Sequence, residues 1–229
     1  RLRNALVVAE VALALVLLVA SGLVLRSFQK LRAVDPGFDA TSTLTFRIGL
    51  PRIDYPDSGR MAAAHRAIID RLSAISGVTA ASASTCLPLS EQQLCQGGPL
   101  FIEGHSLPPG VIAPLVGIRA VDGAYLDAMR MRVLGGRAIE RGDVEREEPV
   151  VVVNQALVNI AFPGQNPIGR RVRLGNPSLS RGAPEWLTVA GVVGNTPTFG
   201  LAEPAPFPQL YMPILGSRPS NNPIAVRPV

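Results

Sequence analysis

Histidine, cysteine and lysine are nearly missing from this chain of 229 residues, which holds two histidines, two cysteines and the single lysine Lys30. Each scarcity removes a class of chemistry. His65 and His105 are far apart, and no CxxC or HxxxH spacing occurs, so no metal-ligand set is expected. His65 falls beside the apolar stripe of a predicted helix, where a packed histidine is the better reading than a ligand. A phosphate-cradling loop would end in Gly-Lys-Ser/Thr, and Lys30 instead adjoins an apolar run. No GxSxG elbow offers a hydrolase nucleophile. Two cysteines are too few to staple a small secreted domain. No catalytic residue, cofactor site or metal site is therefore expected. Aromatics make up only 5%, and the 22 basic residues, against 17 acidic ones for a net charge of +5, are scattered rather than gathered into a stripe. That excludes nucleic acid as a partner.

What is abundant is apolar. Hydrophobic residues reach 47% and charged ones only 17%, which excludes a disordered chain. The surplus peaks at Ala5–Leu25, ALVVAEVALALVLLVASGLVL, flanked by Arg1 and Arg3 before it and by Arg26, Lys30 and Arg32 after it. A helix needs about 20 apolar residues to cross a bilayer core, and this run meets that length with basic anchors at both ends. A secretory signal peptide and a buried core helix are the competing readings. The chain opens on Arg1 rather than Met, as expected of an internal cut in a longer protein. Counting basic residues leaves the orientation of the span open. Glu10 interrupts the run. An ionisable group inside a span is costly and often functional, although its place less than two turns from the start lets it snorkel.

The helix is predicted to run on to Leu31 and to break at Asp35-Pro36-Gly37. Alternation predicts a half-buried strand over Thr43–Leu50. The spacing of Met61, Ile68, Leu72 and Ile75 predicts an amphipathic helix over Ser58–Ile75, with an Arg66–Asp70 pair and Gly77 as a left-handed cap. A strand over Val78–Ser84 follows, and strand, helix, strand implies a helix packed on one face of a sheet. Gly97–Gly110 reads as loop, and Leu115–Val121 as a strand. Helical spacing recurs over Gly123–Met131, then Leu134–Arg137 reads as a turn and Glu140–Glu148 as a solvated charged loop. Val150–Val153 is a buried strand. Asn154 is placed to cap a short helix through Ala161, ended by Pro163-Gly164. Arg171–Leu174 and Leu187–Val193 form a strand pair, and Gln209–Met212 and the C-terminal Ile224–Val229 complete the strands. Cys86 and Cys95 bracket LPLSEQQL: an extracytoplasmic domain favours a local disulfide, a cytosolic one free thiols.

The order RNALVVAEVALALVLLVASGLVLRS, Asp35-Pro36-Gly37-Phe38, YLDAMRMRVLGGR, PVVVVNQALVNIAFPGQNPIGRRV, VAGVVGN and QLYMP resembles the MacB-like periplasmic core domain of FtsX-like ABC transporter permeases, over nearly the whole chain. It is similar above all to long two-half, acidobacterial-type permeases. Leu126 stands where the family commonly has Phe, and Asn195 where it often has Asp. The resemblance implies an α+β fold: an N-terminal transmembrane helix and juxtamembrane extension (residues 1–32), then a mixed α/β periplasmic core domain of two subdomains (residues 33–229), with further helices expected beyond Val229. It implies a non-catalytic permease whose periplasmic domain couples ATP hydrolysis to export, extraction or signalling, with Arg1 cytoplasmic. The implied partners are an ABC-type ATPase subunit, a second permease half or homodimer, a periplasmic adaptor or outer-membrane component, and the lipid bilayer. A membrane-anchored periplasmic ligand-binding or sensor domain is the alternative, and an anchored hydrolase the weakest reading.

Overall fold

The computed structural model describes residues 1–51, 53–55, 57–89, 97–105, 108, 110–175, 186–214 and 221–228. They form two compact units, Arg1–Asp35 and Pro36–Val229.

The first unit is one helix, α1 (Leu2–Arg32), with Lys30 and Arg32 in its last turn, where cations complement the helix dipole. It buries none of its residues. It is long and apolar enough to cross a membrane.

The second unit holds two sheets. In the smaller, β1 (Leu44–Gly49) and β2 (Val78–Ala83) flank β10 (Asn221–Pro228), which is antiparallel to both. Leu44 pairs with Val226. Helix α2 (Ser58–Ser73) starts where the Asp57 carboxylate accepts the Arg60 N–H at 2.7 Å. It packs Ile69 onto Ala81, Ala83 and Val226. The expected stripe is thereby shifted: Ile69 is buried, while Ile75 is 52% exposed beyond the helix end. Gly77 does take a left-handed φ of +91°, in the turn to β2 rather than at the cap, which is Ala74.

The larger sheet contains β3 (Gly97–Ile102), β4 (Leu115–Val121), β5 (Val133–Gly136), β6 (Val150–Asn154), β7 (Arg171–Leu174), β8 (Leu187–Val193) and β9 (Gln209–Pro213). Two stretches that read as loop and turn are thus strands. Gly97–Ile102 gains order from pairing with both β4 and β7. Val133–Gly136 gains it from β8, onto which Gly136 turns at φ +67°. Strand β8 pairs with β6 on one side and, on the other, first with β7 and then with β5. The order β8-β6-β9-β4-β3-β7 therefore returns to β8 and closes a ring of six strands.

Alternation gives the ring two apolar faces. Val116, Ile118, Val151, Val153, Val172 and Leu210 point to one core, which Leu157 and Phe162 also enter. The intervening Val121, Val152, Val193 and Tyr211 point to a second core. Burial on both faces is why Val150–Val153 shows no alternation in sequence. Short helices join the strands: α3 (Tyr125–Ala128), α4 (Arg141–Glu145) and α5 (Gln155–Ala161). As expected, Asn154 caps α5, its Oδ1 accepting the Leu157 N–H at 3.0 Å.

The charged stretch after Ile139 is helix α4 rather than solvated loop. The Glu140 and Asp143 side chains form a reciprocal capping box, and Asp143 is 2% exposed. Its carboxylate accepts from both Arg137 guanidinium nitrogens, at 2.6 and 2.9 Å, which holds it below its ordinary pKa. The neighbouring Arg141 reaches Asp70 of α2 at 2.7 Å. Asp70 therefore pairs across the two sheets, not with Arg66 along its own helix.

Candidate functional site

Three sequence motifs that lie far apart, DPGFD, YLDAMRM and VVGN, meet where the chain enters the second unit. Gly37 has φ +71°, and a Cβ there would stand 2.1 Å from the Asn195 carbonyl oxygen, so no other residue fits this approach. Phe38 packs into the second core beside α3. The Asp39 N–H donates to the Met129 carbonyl at 3.0 Å. The Asp39 carboxylate accepts the Thr41 N–H at 2.9 Å and the Thr41 hydroxyl at 2.8 Å, together with the Ser42 hydroxyl. It also pairs with Arg130 at 3.2 Å. The Ser42 hydroxyl foremost, then Thr41, holds this carboxyl well below the usual carboxylate range. Thr43 then donates its hydroxyl to the Asp39 carbonyl at 2.8 Å, just before β1 begins. Residues 37–43 are thus a strap fixed to the larger sheet before the chain joins the smaller one.

The anchor for this strap is the end of α3. Arg130 has φ +49°, and its N–H donates to the Asp127 carbonyl at 3.1 Å, while the Met131 N–H reaches the Leu126 carbonyl at 2.8 Å. That pair of bonds is the Schellman helix ending, completed by buried Leu126 and Met131 in one core. The left-handed position is usually glycine; here it is the arginine that binds Asp39.

The other anchor is a buried polar network. Asn195 accepts the Ala156 N–H at 2.8 Å through its Oδ1. Thr196 is fully buried, and the Gln209 amide donates to its carbonyl at 3.1 Å. Tyr211 donates its hydroxyl to Gln209 Oε1 at 2.9 Å, and its ring lies 6.3 Å from that of Tyr125 in α3. Burial raises the pKa of both phenols, that of Tyr125 to about 12. The loop from Thr198 to Phe207 is gathered by one side chain: the Glu203 carboxylate accepts the N–H groups of Thr198, Phe199 and Phe207 at 2.7, 3.2 and 2.9 Å. Contacts therefore run from the strap through Asn195, Thr196, Gln209, Tyr211 and Tyr125 back to α3.

The residues singled out in the sequence lie elsewhere. Glu10 is exposed on α1. Cys86 is 3% exposed beyond β2 and is not a free thiol, while Cys95 lies outside the described residues. His65 is half-buried, which lowers its pKa. Among the described residues no cluster of His, Cys, Asp and Glu could hold a metal ion. The strap itself escaped prediction, although Asp39 followed by Thr41 and Ser42 is a recognisable local hydrogen-bonding pattern.

The family model of the MacB-like periplasmic core domain matches residues 5–228. The chain belongs to this family. It is a MacB-like periplasmic domain of the ABC transporter permeases, joined to an N-terminal apolar helix; the family's domain is generally non-catalytic. The crystal structure of the periplasmic region of MacB from Actinobacillus actinomycetemcomitans is similar, with a TM-score of 0.53 at 18% identity over 87% of this chain and 79% of that one. That likeness is one of fold. The extracellular domain of the noncanonic ABC-type transporter YknZ from Gram-positive bacteria aligns with a TM-score of 0.49 at 14% identity, over 81% of this chain and 83% of that one. No curated protein matches the sequence.

Proposed function

We propose that α1 spans the inner membrane with Arg1 on the cytoplasmic side, and that residues 33–229 stand in the periplasm. There they couple ATP hydrolysis by a separate ABC-type ATPase subunit to export, extraction or signalling. The strap carries this reading. With 31 residues, α1 is about 46 Å long against a hydrocarbon core of about 30 Å. Its basic C-terminal turns then project beyond the lipid, and a few residues separate them from a segment fixed to Asn195 and Met129. Movement of the helix end is delivered to α3 and the 195–209 loop instead of being lost in a slack linker.

Such a domain is a mechanical part, with a second permease half or a second copy completing the translocation unit and an adaptor or outer-membrane component as a further partner. In that oxidising compartment Cys86 bridges Cys95. Alkylation before and after reduction would show this as a mass difference of two labelled thiols.

The test uses the full-length permease assembled with its ATPase subunit. Gly37→Val is expected to leave ATP hydrolysis running while abolishing the ATP-dependent change in amide exchange of α3. An unchanged response in the variant rejects the strap as the route. Failure of any nucleotide-binding subunit to co-purify favours the anchored sensor instead.

A further inference from the structure

A cation sits in the core of the second unit without a counter-charge. Arg119 lies in β4, opposite Tyr211 of β9, and is 4% exposed. Alternation along β4 turns it to the same side as Val121, a residue of the second core. Among the described residues it makes no ion pair, and its Nη1 is buried with no hydrogen-bond partner. A guanidinium stays charged throughout the pH range in which proteins fold and offers only donors, so such a position is costly unless something negative meets it.

A second polar group beside it is also unsatisfied. The Tyr125 ring in α3 is fully buried, and its hydroxyl has no hydrogen-bond partner. Burial pushes this phenol up and the Arg119 charge opposes the rise, which makes guanidinium and phenol neighbours. Tyr211 and Ser84 also act on the Tyr125 phenol, and both are committed elsewhere. The Ser84 hydroxyl donates to the Cys86 carbonyl at 2.7 Å and accepts the Cys86 N–H at 3.2 Å, while the Tyr211 hydroxyl donates to Gln209. Neither of them carries a negative charge.

We propose that Arg119 Nη1 and the Tyr125 hydroxyl together bind one compact monovalent anion, chloride, inside the second core. Two single donors from different side chains suit a spherical acceptor, whereas a carboxylate favours two parallel N–H groups of one guanidinium. A water molecule would complete the hydrogen bonds but leave the charge unmet. The ion would tie β4 to α3, the helix whose far end holds the strap. The inference is drawn from the core of the larger sheet alone and stands without the coupling role.

The test is amide exchange of the full-length permease in detergent, with sodium gluconate replaced stepwise by sodium chloride at fixed ionic strength. Opening that releases the ion is suppressed in proportion to its occupancy. At ten times the half-saturating chloride concentration, the peptides covering residues 115–121 and 125–131 should therefore exchange about tenfold more slowly than in gluconate. Arg119→Met should abolish the chloride dependence. Tyr125→Phe removes a hydroxyl that bonds to no protein group, so it should fold as the wild-type chain does and raise the half-saturating concentration about tenfold. Exchange that ignores chloride, a response that survives Arg119→Met, an unchanged half-saturation in Tyr125→Phe, or sodium acetate acting where chloride does not would each overturn the proposal.

Discussion

Arg130 shows how one residue can serve two opposed demands. Its left-handed backbone ends α3 at a cost of about 1 kcal/mol relative to glycine, and its side chain holds Asp39. Arg130→Gly removes the ion pair but relieves the backbone, so its stability should stay within about 1 kcal/mol of the wild-type chain. Arg130→Ala loses the pair and keeps the strain, and should fall about 1 kcal/mol below the glycine variant in urea unfolding. Gly37→Ala should be worse than either, by roughly 2–4 kcal/mol, because it combines a left-handed φ with a Cβ against the Asn195 carbonyl. The Asp39 carboxyl titrates lower in the folded chain than in the unfolded one. Its contribution is therefore complete above about pH 4 and is lost as the pH falls further, toward the folded value. Asp39→Asn should shrink the acid limb of a plot of stability against pH and leave the part that Asp143 contributes, and an unchanged limb would assign it wholly to other carboxylates.

Among the elements, β6 and α5 depend on a single side chain at their junction. Asn154 Oδ1 accepts from both Leu157 and Gln209, and its amide donates to the Phe207 carbonyl at 2.9 Å. Asn154→Ala should cost about 2–3 kcal/mol, since it removes a cap and leaves buried backbone groups unpaired. Asn154→Asp keeps the two accepted bonds and should cost less, a ranking that thermal unfolding can check. This junction was legible in sequence because an apolar strand, a capping residue and a short helix follow one another without interruption. Strand β3 was not legible: Gly97, Gly98 and Pro99 carry loop signals, and their order comes from partners in β4 and β7 that are distant in sequence. Strand β5 hid behind Gly135-Gly136 for the same reason. The α4 region read as charged surface because the pairing of Asp143 with Arg137 depends on how β5 and α4 meet. The strap was visible only in fragments, as motifs whose order suggested a family but whose meeting point needed the fold.

At the scale of the whole molecule, the Asp70–Arg141 ion pair joins α2, on the smaller sheet, to α4, beside the second core that both sheets enter. Both partners are about half exposed, so Asp70→Arg alone should change global stability by no more than about 1 kcal/mol. Its effect belongs to amide exchange where the sheets join, at Ala83–Thr85, and the Asp70→Arg, Arg141→Asp double variant should restore the wild-type rates. A larger loss of global stability in the single variant would show that the pair carries more than an exposed contact can. The register that sets Leu44 opposite Val226 has a different kind of consequence. Opposed residues in an antiparallel ladder stand about 5 Å apart, so everything from β1 to β10 leaves and returns through one narrow gap. The domain is in effect a cassette with its two ends side by side, and because residues 37–43 are fixed to its larger sheet, any exchange of inserts has to carry the strap along with the strands.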